Sequence, residues 1–260
     1  MRSPHLLNLE SVYGPVESRR YGLTLGINPF AGGEKVCTFN CAYCQLGWTP
    51  ANAEKPAHFV EPDAIRSELV GRARDHHGQK IDAIVLCGNG EPTLHPCFPD
   101  LMASIMAARD LAWPMTPVVL LTHGGRLTDR QIFEAASWAE ECSVKLDAGS
   151  YESLRRVNMP REEVDLELLV DRIRALPNSV VQSCFIEGAV TNADDESLRS
   201  WLGAIRCARP QRVDIYTISR TPPSSKVGPV DAHRLHQIGA LAARAVHTKI
   251  RVFPSDHLAD

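Results

Sequence analysis

The sequence predicts an α/β fold in a single domain, a partial, open (β/α)6 barrel of the TIM type, on three observations. Short β-branched runs alternate with amphipathic stretches of helical period, which is the pattern of βαβ units around a parallel sheet. The runs are almost continuously apolar, as strands are when both of their faces are covered. Six strand–helix repeats and a seventh short strand are too many for half a barrel and too few for a full eightfold one. A doubly wound open sheet stays open as the competing topology, because strand counting alone does not separate the two.

The strand runs fall at residues 22–28, 82–88, 117–122, 143–147, 180–187, 212–219 and 249–253. Between the first two, residues 62–76 place Ile65, Leu69 and Ala73 on one helical face. Residues 98–110 are helical on an alanine- and methionine-rich pattern. The stretch 127–140 opens with Thr128 and Gln131, spaced as a capping box, and carries Ile132, Ala135 and Ala139 inward. Helices over 163–176, 193–208 and 230–246 follow the same logic, and 221–229, rich in Pro, Ser and Gly, reads as a loop. No repeat, low-complexity tract or linker divides the chain. One domain over 1–260 is expected, with its core at about 14–223 and a C-terminal helix and short strand at 230–254.

With 260 residues, 44% hydrophobic and 23% charged, the chain can bury a sizeable core and has an ordinary globular composition. Its net charge of −3 provides no global positive field and does not favour nucleic acid as a partner, although a local basic patch could still serve one. Residues 1–13 show neither an apolar h-region nor a small-residue cleavage site, and no stretch approaches the roughly 18 apolar residues of a spanning helix. A cytoplasmic protein without a membrane partner is expected, in a compartment that keeps thiols reduced. Its eight cysteines are then metal ligands or small buried residues rather than disulfides.

Three of them, Cys37, Cys41 and Cys44, form a C-x3-C-x2-C run after the first predicted strand. Three thiolates can anchor an iron–sulfur cubane and leave its fourth iron open to a substrate or cofactor. Structural zinc, with His58 as fourth ligand, is the alternative, although no second paired ligand motif exists. Cys87, Cys97, Cys142, Cys184 and Cys207 stand alone.

The second strand ends in Gly88, Asn89, Gly90 and Glu91. The glycines would let a ligand approach the backbone, and the carboxylate suits an ammonium group. Pro92 discourages an early helix. Thr122 and His123 follow the third strand, His123 reading as an exposed loop histidine. Lys145 and Asp147 close the fourth strand, where a charge is costly unless paired with its neighbour or aimed at the barrel mouth. Glu187 and the segment from Tyr216 to Arg220 lie at the same ends of later strands, and Arg220 could hold an anion in a bidentate contact. Arg19 with Arg20, and Arg155 with Arg156, read as solvated charge pairs.

The cysteine triplet, with Tyr43 as the aromatic residue before its last cysteine, resembles the signature of the radical S-adenosylmethionine superfamily. The flanks, from Ser18 to Gly26 and from Gln45 to Gly47, resemble the branch that includes the wyosine-base tRNA-modifying enzymes and their bacterial relatives. The resemblance covers about residues 14–223. It implies two cofactors, a 4Fe–4S cluster on Cys37, Cys41 and Cys44 and S-adenosylmethionine on its open iron. It further implies that Gly88, Asn89, Gly90 and Glu91 hold the methionyl amino group, with Tyr43 and Thr122 nearby. His123 stands where the family commonly has Asn. Lys145 and Asp147 would lie near the cofactor's ribose and carboxylate, and Glu187 and Arg220 on the same rim.

The implied activity is reductive cleavage of S-adenosylmethionine to a 5′-deoxyadenosyl radical, which abstracts hydrogen from a small metabolite, a peptide or a modified tRNA base. An external one-electron donor of flavodoxin or ferredoxin type would supply the electron. No general acid or base is nominated, since the hard chemistry belongs to the cofactors. Cys97 or Cys184 could return a hydrogen to a product radical. The alternative from another class is a non-catalytic iron–sulfur or zinc protein serving electron transfer or assembly.

Overall fold

The computed structural model describes residues 7–31, 33–51, 58–76 and 78–255. The residues before 7, within the segment read for a leader, lie outside the described part. An antiparallel hairpin, β1 (Val12–Ser18) and β2 (Gly22–Ile27), starts the sheet. The chain then runs through α1 (Pro62–Asp75), β3 (Ala83–Leu86), α2 (Phe98–Ala112), β4 (Val118–Thr122), α3 (Arg130–Ala136) and β5 (Glu141–Lys145). Two helices follow, α4 (Tyr151–Val157) and α5 (Leu166–Ala175), and then β6 (Ser179–Gly188), α6 (Asp195–Ala208) and β7 (Arg212–Thr217). A short β8 (Val227–Pro229), α7 (Ala232–Ala245) and β9 (Lys249–Phe253) complete the described elements.

The sheet order is β1-β2-β3-β4-β5-β6-β7-β9, with β8 on β6. From β2 to β9 every neighbouring pair on this path is parallel. A doubly wound sheet needs a point where the strand order reverses, and this one has none. The sheet is instead an open, strongly curled half-barrel. Its curl is visible in one contact: Nη1 of Arg19, in the turn before β2, donates to the carbonyl of Pro254 just past β9 at 2.8 Å.

The helices lie on the outer face and close the main core over β3 to β7. Ile65, Leu69, Phe98, Leu101 and Ile105 pack there from α1 and α2, all with essentially no exposure. Trp201 of α6 fills the same layer. Its ring meets Phe185 edge-on at 5.0 Å, and its indole N–H donates to the Leu146 carbonyl at 3.0 Å.

Four departures from the sequence reading have physical causes. β1 is a half-exposed edge strand, with no apolar run to announce it. Part of the expected loop 221–229 is β8, which covers the end of β6. α4 is an extra helix of seven residues. α3 is shorter than expected, and Asp129 caps it rather than Thr128, accepting from the backbone N–H groups of Gln131 and Ile132. Among the described residues no helix is long and apolar enough to cross a membrane.

Candidate active site

Cys37, Cys41 and Cys44 lie on the connection between β2 and α1, which is held from two sides. On one side Val36 donates to the Asn89 carbonyl at 2.9 Å and accepts from the Glu91 N–H at 2.8 Å. A side chain at Gly90 would stand 1.7 Å from the Val36 oxygen, so only glycine lets the loop seat there. Gly88, at φ +61°, is likewise pressed against Asn28, whose Oδ1 would lie 2.4 Å from a Cβ. Both glycines are needed where the chain meets its own backbone and side chains, a reason beyond the ligand approach expected from the sequence.

On the other side the loop pairs with the end of α4. Ala42 donates to the Val157 carbonyl at 2.9 Å, Asn40 to the Asn158 carbonyl at 3.1 Å, and Arg161 to the Thr38 carbonyl at 2.9 Å. The Arg161 guanidinium donates to the carbonyls of Thr49 and Pro50. Lys35, only 4% exposed, donates from Nζ to the Gly47 carbonyl at 2.6 Å and puts a buried positive charge beside the cysteines.

The three cysteines face a cavity of about 290 Å³ at the C-terminal ends of the parallel strands, the rim where such barrels place their sites. Of the residues singled out in the sequence, Tyr43, Gly90, Glu91, Thr122, Lys145 and Arg220 also line it. Gly88, Asn89, Asp147 and Glu187 do not. Asn89 is fully buried and exchanges hydrogen bonds with the backbone of Asn8, donating at 2.7 Å and accepting at 2.9 Å. Glu187 lies further along β6, paired with Gly228 of β8.

Glu91 is 2% exposed, and its carboxylate is already well satisfied. Oε1 accepts from Thr93 N at 3.1 Å and from the hydroxyls of Thr93 and Thr122, both at 2.6 Å. Oε2 accepts from His123 N at 2.7 Å. His123 is not an exposed loop residue. It is 5% exposed, stacks on Phe39 at 4.0 Å between centroids, and lies 3.1 Å from the Thr38 hydroxyl. Burial lowers its pKa against the pull of Glu91, which favours the neutral imidazole.

Asp147 sits just behind the cavity wall and organises it. Its Oδ1 accepts from Cys184 N at 2.6 Å, and its Oδ2 accepts from Asn158 Nδ2 at 2.6 Å and from the Tyr43 hydroxyl. Lys145 Nζ is 3.6 Å from Oδ2 and donates to the Tyr216 hydroxyl at 2.7 Å. Both sequence readings of this pair therefore hold, since the two groups pair and the lysine still faces the cavity. Burial opposes the charge on Lys145, yet Asp147, Tyr216 and the nearby thiols hold its pKa above the usual lysine value. Burial pushes Tyr216 up to about 12, with Lys145 opposing.

The cysteine chemistry fits a cluster. Burial raises the Cys37 pKa, with Cys41 and Glu91 adding to it, and pushes Cys41 up to about 11 against the pull of Lys145. Such thiols stay protonated in the bare protein and lose the proton to a metal. Asn158 Nδ2 lies 3.4 Å from Cys41 Sγ, and its own Oδ1 is buried with no hydrogen-bond partner. His58 is exposed and lies outside the cavity lining. Among the described residues no three His, Cys, Asp or Glu side chains meet closely enough to hold a single metal ion.

Several site residues escaped the sequence reading. Arg19 and Arg20 line the cavity instead of forming a solvated pair. Lys35 was legible only as a cation two residues before the first cysteine, and Asn158 had no signal because α4 itself had none. Among the single cysteines, Cys87 and Cys184 line the cavity, whereas Cys97 is exposed at the start of α2.

Comparison with known proteins agrees with this geometry. A family model described as the radical SAM superfamily matches residues 35–176. A UPF0026 protein of Synechocystis sp. is 31% identical over 82% of this chain and 77% of its own length. The fold is similar to that of Streptococcus suis SuiB bound to S-adenosylmethionine, with a TM-score of 0.63 and 11% identity over 88% of this chain. This chain spans about half of SuiB, 49% of its length. It is also similar to TYW1 with a lysine–pyruvate adduct bound, with a TM-score of 0.64 and 16% identity over 85% of this chain and 73% of that one.

Proposed function

Because the chain belongs to the radical S-adenosylmethionine superfamily, and is an enzyme of it rather than a zinc protein or an electron carrier, we propose that its cavity cleaves S-adenosylmethionine to start hydrogen abstraction from a substrate. One observation carries the reading. Cys37, Cys41 and Cys44 line the same cavity as Gly90, Glu91, Thr122 and Lys145, at the C-terminal ends of consecutive parallel strands.

Cys37, Cys41 and Cys44 would hold a 4Fe–4S cluster, which when bound would supply the electron for reductive cleavage of S-adenosylmethionine to methionine and a 5′-deoxyadenosyl radical. The chain's own residues bind, orient and exclude water. Gly90 seats the cysteine loop, and Glu91, fixed by Thr93, Thr122 and the His123 N–H, presents a fixed negative charge to the cofactor's ammonium group. Lys145, held by Tyr216 and Asp147, presents a positive charge to its carboxylate. Tyr43 and Asn158 fix the back of the loop around Cys41, and Arg220, bound to Gln45 at 2.8 Å, ties the β7 end of the cavity to it. Asp147 acts through Tyr43 and Lys145 as a positioning residue. The electron comes from an external donor of flavodoxin or ferredoxin type.

The test is anaerobic reconstitution with iron and sulfide, reduction, and addition of S-adenosylmethionine. Product is read as 5′-deoxyadenosine by mass spectrometry, and the cluster by its EPR spectrum. The expected result is product formation that disappears in a Cys37→Ala, Cys41→Ala, Cys44→Ala variant. A full, reducible cluster that gives no product and whose spectrum does not respond to S-adenosylmethionine would sink the proposal.

A further inference from the structure

We propose that Arg19 and Arg20 clamp an oxyanion of the substrate, a carboxylate or a phosphate, against the cavity wall formed by β6, β7 and β9. The inference rests on the function proposed above and adds the chemical class of the substrate, an anion.

Both arginines come from the turn between β1 and β2, which folds into the open side of the half-barrel and lines the cavity. Arg20 lies over the Tyr216 ring at 4.8 Å and near the Tyr21 ring at 5.6 Å, and its Nη1 donates to Gln182 Oε1 at 2.6 Å. These contacts orient the guanidinium and leave most of its five donors unspent. Arg19 donates to the Pro254 carbonyl at 2.8 Å and lies 3.5 Å from that of Thr217. None of these partners carries a charge.

Of the other charged groups lining the cavity, Lys145 pairs with Asp147 and the Glu91 carboxylate is held by the Thr93, Thr122 and His123 donors, whereas Lys35 and Arg220 donate to the Gly47 carbonyl and to Gln45. Among the described residues neither Arg19 nor Arg20 has a carboxylate within ion-pair distance. In a chain of net charge −3, two arginines that line a reaction cavity and meet no carboxylate among the described residues are an attractive site for an anion. The planar fork matches carboxylate and phosphate oxygens alike.

The first experiment leaves the sequence intact. The reconstituted protein is labelled with phenylglyoxal, and the peptides carrying Arg19, Arg20 and the exposed Arg244 are followed by mass spectrometry, with inorganic phosphate, acetate or S-adenosylmethionine present. Phosphate or acetate is expected to slow labelling of Arg19 and Arg20 but not of Arg244, and the anion that protects more identifies which oxyanion the clamp prefers. No protection by either anion overturns the proposal. Protection by S-adenosylmethionine alone also overturns it, because the pair would then serve the cofactor.

The second experiment measures binding of the protecting anion by calorimetry in Arg20→Gln and Arg20→Lys. A roughly tenfold loss is expected in Arg20→Gln, the scale of one charge-assisted hydrogen bond, with partial recovery in Arg20→Lys. In both variants the response of the cluster's EPR spectrum to S-adenosylmethionine should persist. Unchanged binding in Arg20→Gln overturns the clamp alone. An EPR spectrum that fails to respond even in the unaltered protein overturns the proposed function instead.

Discussion

At Gly90 a single hydrogen atom decides whether the cysteine loop can seat, since any Cβ there would collide with the Val36 carbonyl. Gly90→Ala should therefore leave the barrel folded but push the loop off its anchor. We predict a far-UV circular dichroism spectrum like that of the parent, and iron retention after reconstitution well below half of the parent's. Equal iron content would show that the loop has a second way to seat. Asp147 poses the opposite problem, a buried carboxylate that satisfies four groups at once. Asp147→Asn removes the counter-charge of Lys145 and sets an amide against the Nδ2 of Asn158. Removing one member of a buried pair costs about 3–5 kcal/mol, and a loss of that size in urea unfolding is expected. The sequence displayed these two residues differently. Asp147 was conspicuous as a charge ending an apolar strand, whereas the steric demand on Gly90 came from Val36, a residue more than fifty positions away. Arg19 and Arg20 were read as solvated because a charge pair in a turn carries no mark of where the turn points.

Between elements, the floor of the barrel is tied by an ionic network that the active site does not use. Asp214 of β7 is fully buried, and Oδ1 accepts from Arg212 Nε and Arg251 Nε, both at 2.8 Å. Arg212 reaches across to Glu141 of β5 at 2.6 Å, and Glu141 accepts from the Tyr21 hydroxyl at 2.6 Å. Burial raises the Asp214 pKa, but its two arginine partners more than reverse this and hold it below the ordinary value of 3.8. As pH falls, the unfolded chain therefore takes up this proton before the folded one. The network's contribution is complete above the unfolded pKa of 3.8 and drains away as pH drops through the folded one. Asp214→Asn should cost roughly 3 kcal/mol at neutral pH, the low end for a broken buried pair because Arg251 stays partly solvated. The difference between variant and parent should shrink in unfolding measured below pH 4, and a difference that stays constant there would refute the assignment. Elements of this interior were the legible part of the chain. The parallel strands β2 to β7 showed because they are buried over several consecutive residues. α4 did not, since seven residues capped by Ser150 are too few to establish a helical period. β1 did not either, because its edge position leaves it half exposed and its pairing is decided by the free edge of β2.

On the scale of the whole molecule, the sheet is parallel except at its β1 edge and along β8, and its curl brings its two ends within one arginine of each other. No local pattern in the sequence carries that closure; it follows from strand twist accumulated over the sheet. The C-terminal helix and strand, separated in the sequence reading from a core at about 14–223, belong to this closure. β9 pairs with β7 over five register positions, from Arg212 opposite Lys249 to Tyr216 opposite Phe253. α7 buries Leu235, Ile238 and Ala242. Phe253 lines the cavity, Arg251 is half of the clamp on Asp214, and Pro254 receives Arg19. A chain ending at residue 229 would lose all of these at once. It would expose the backbone edge of β7, leave Asp214 with one arginine, and open the wall on which Arg19 rests. An unpaired apolar strand edge is also a template for association with other chains. We therefore predict that the truncated chain elutes as aggregate or expanded species in size-exclusion chromatography and shows no cooperative thermal transition. A truncated chain that eluted as a compact monomer and melted cooperatively would mean that α7 and β9 are an appendage, and that the half-barrel up to β7 holds its curl unaided.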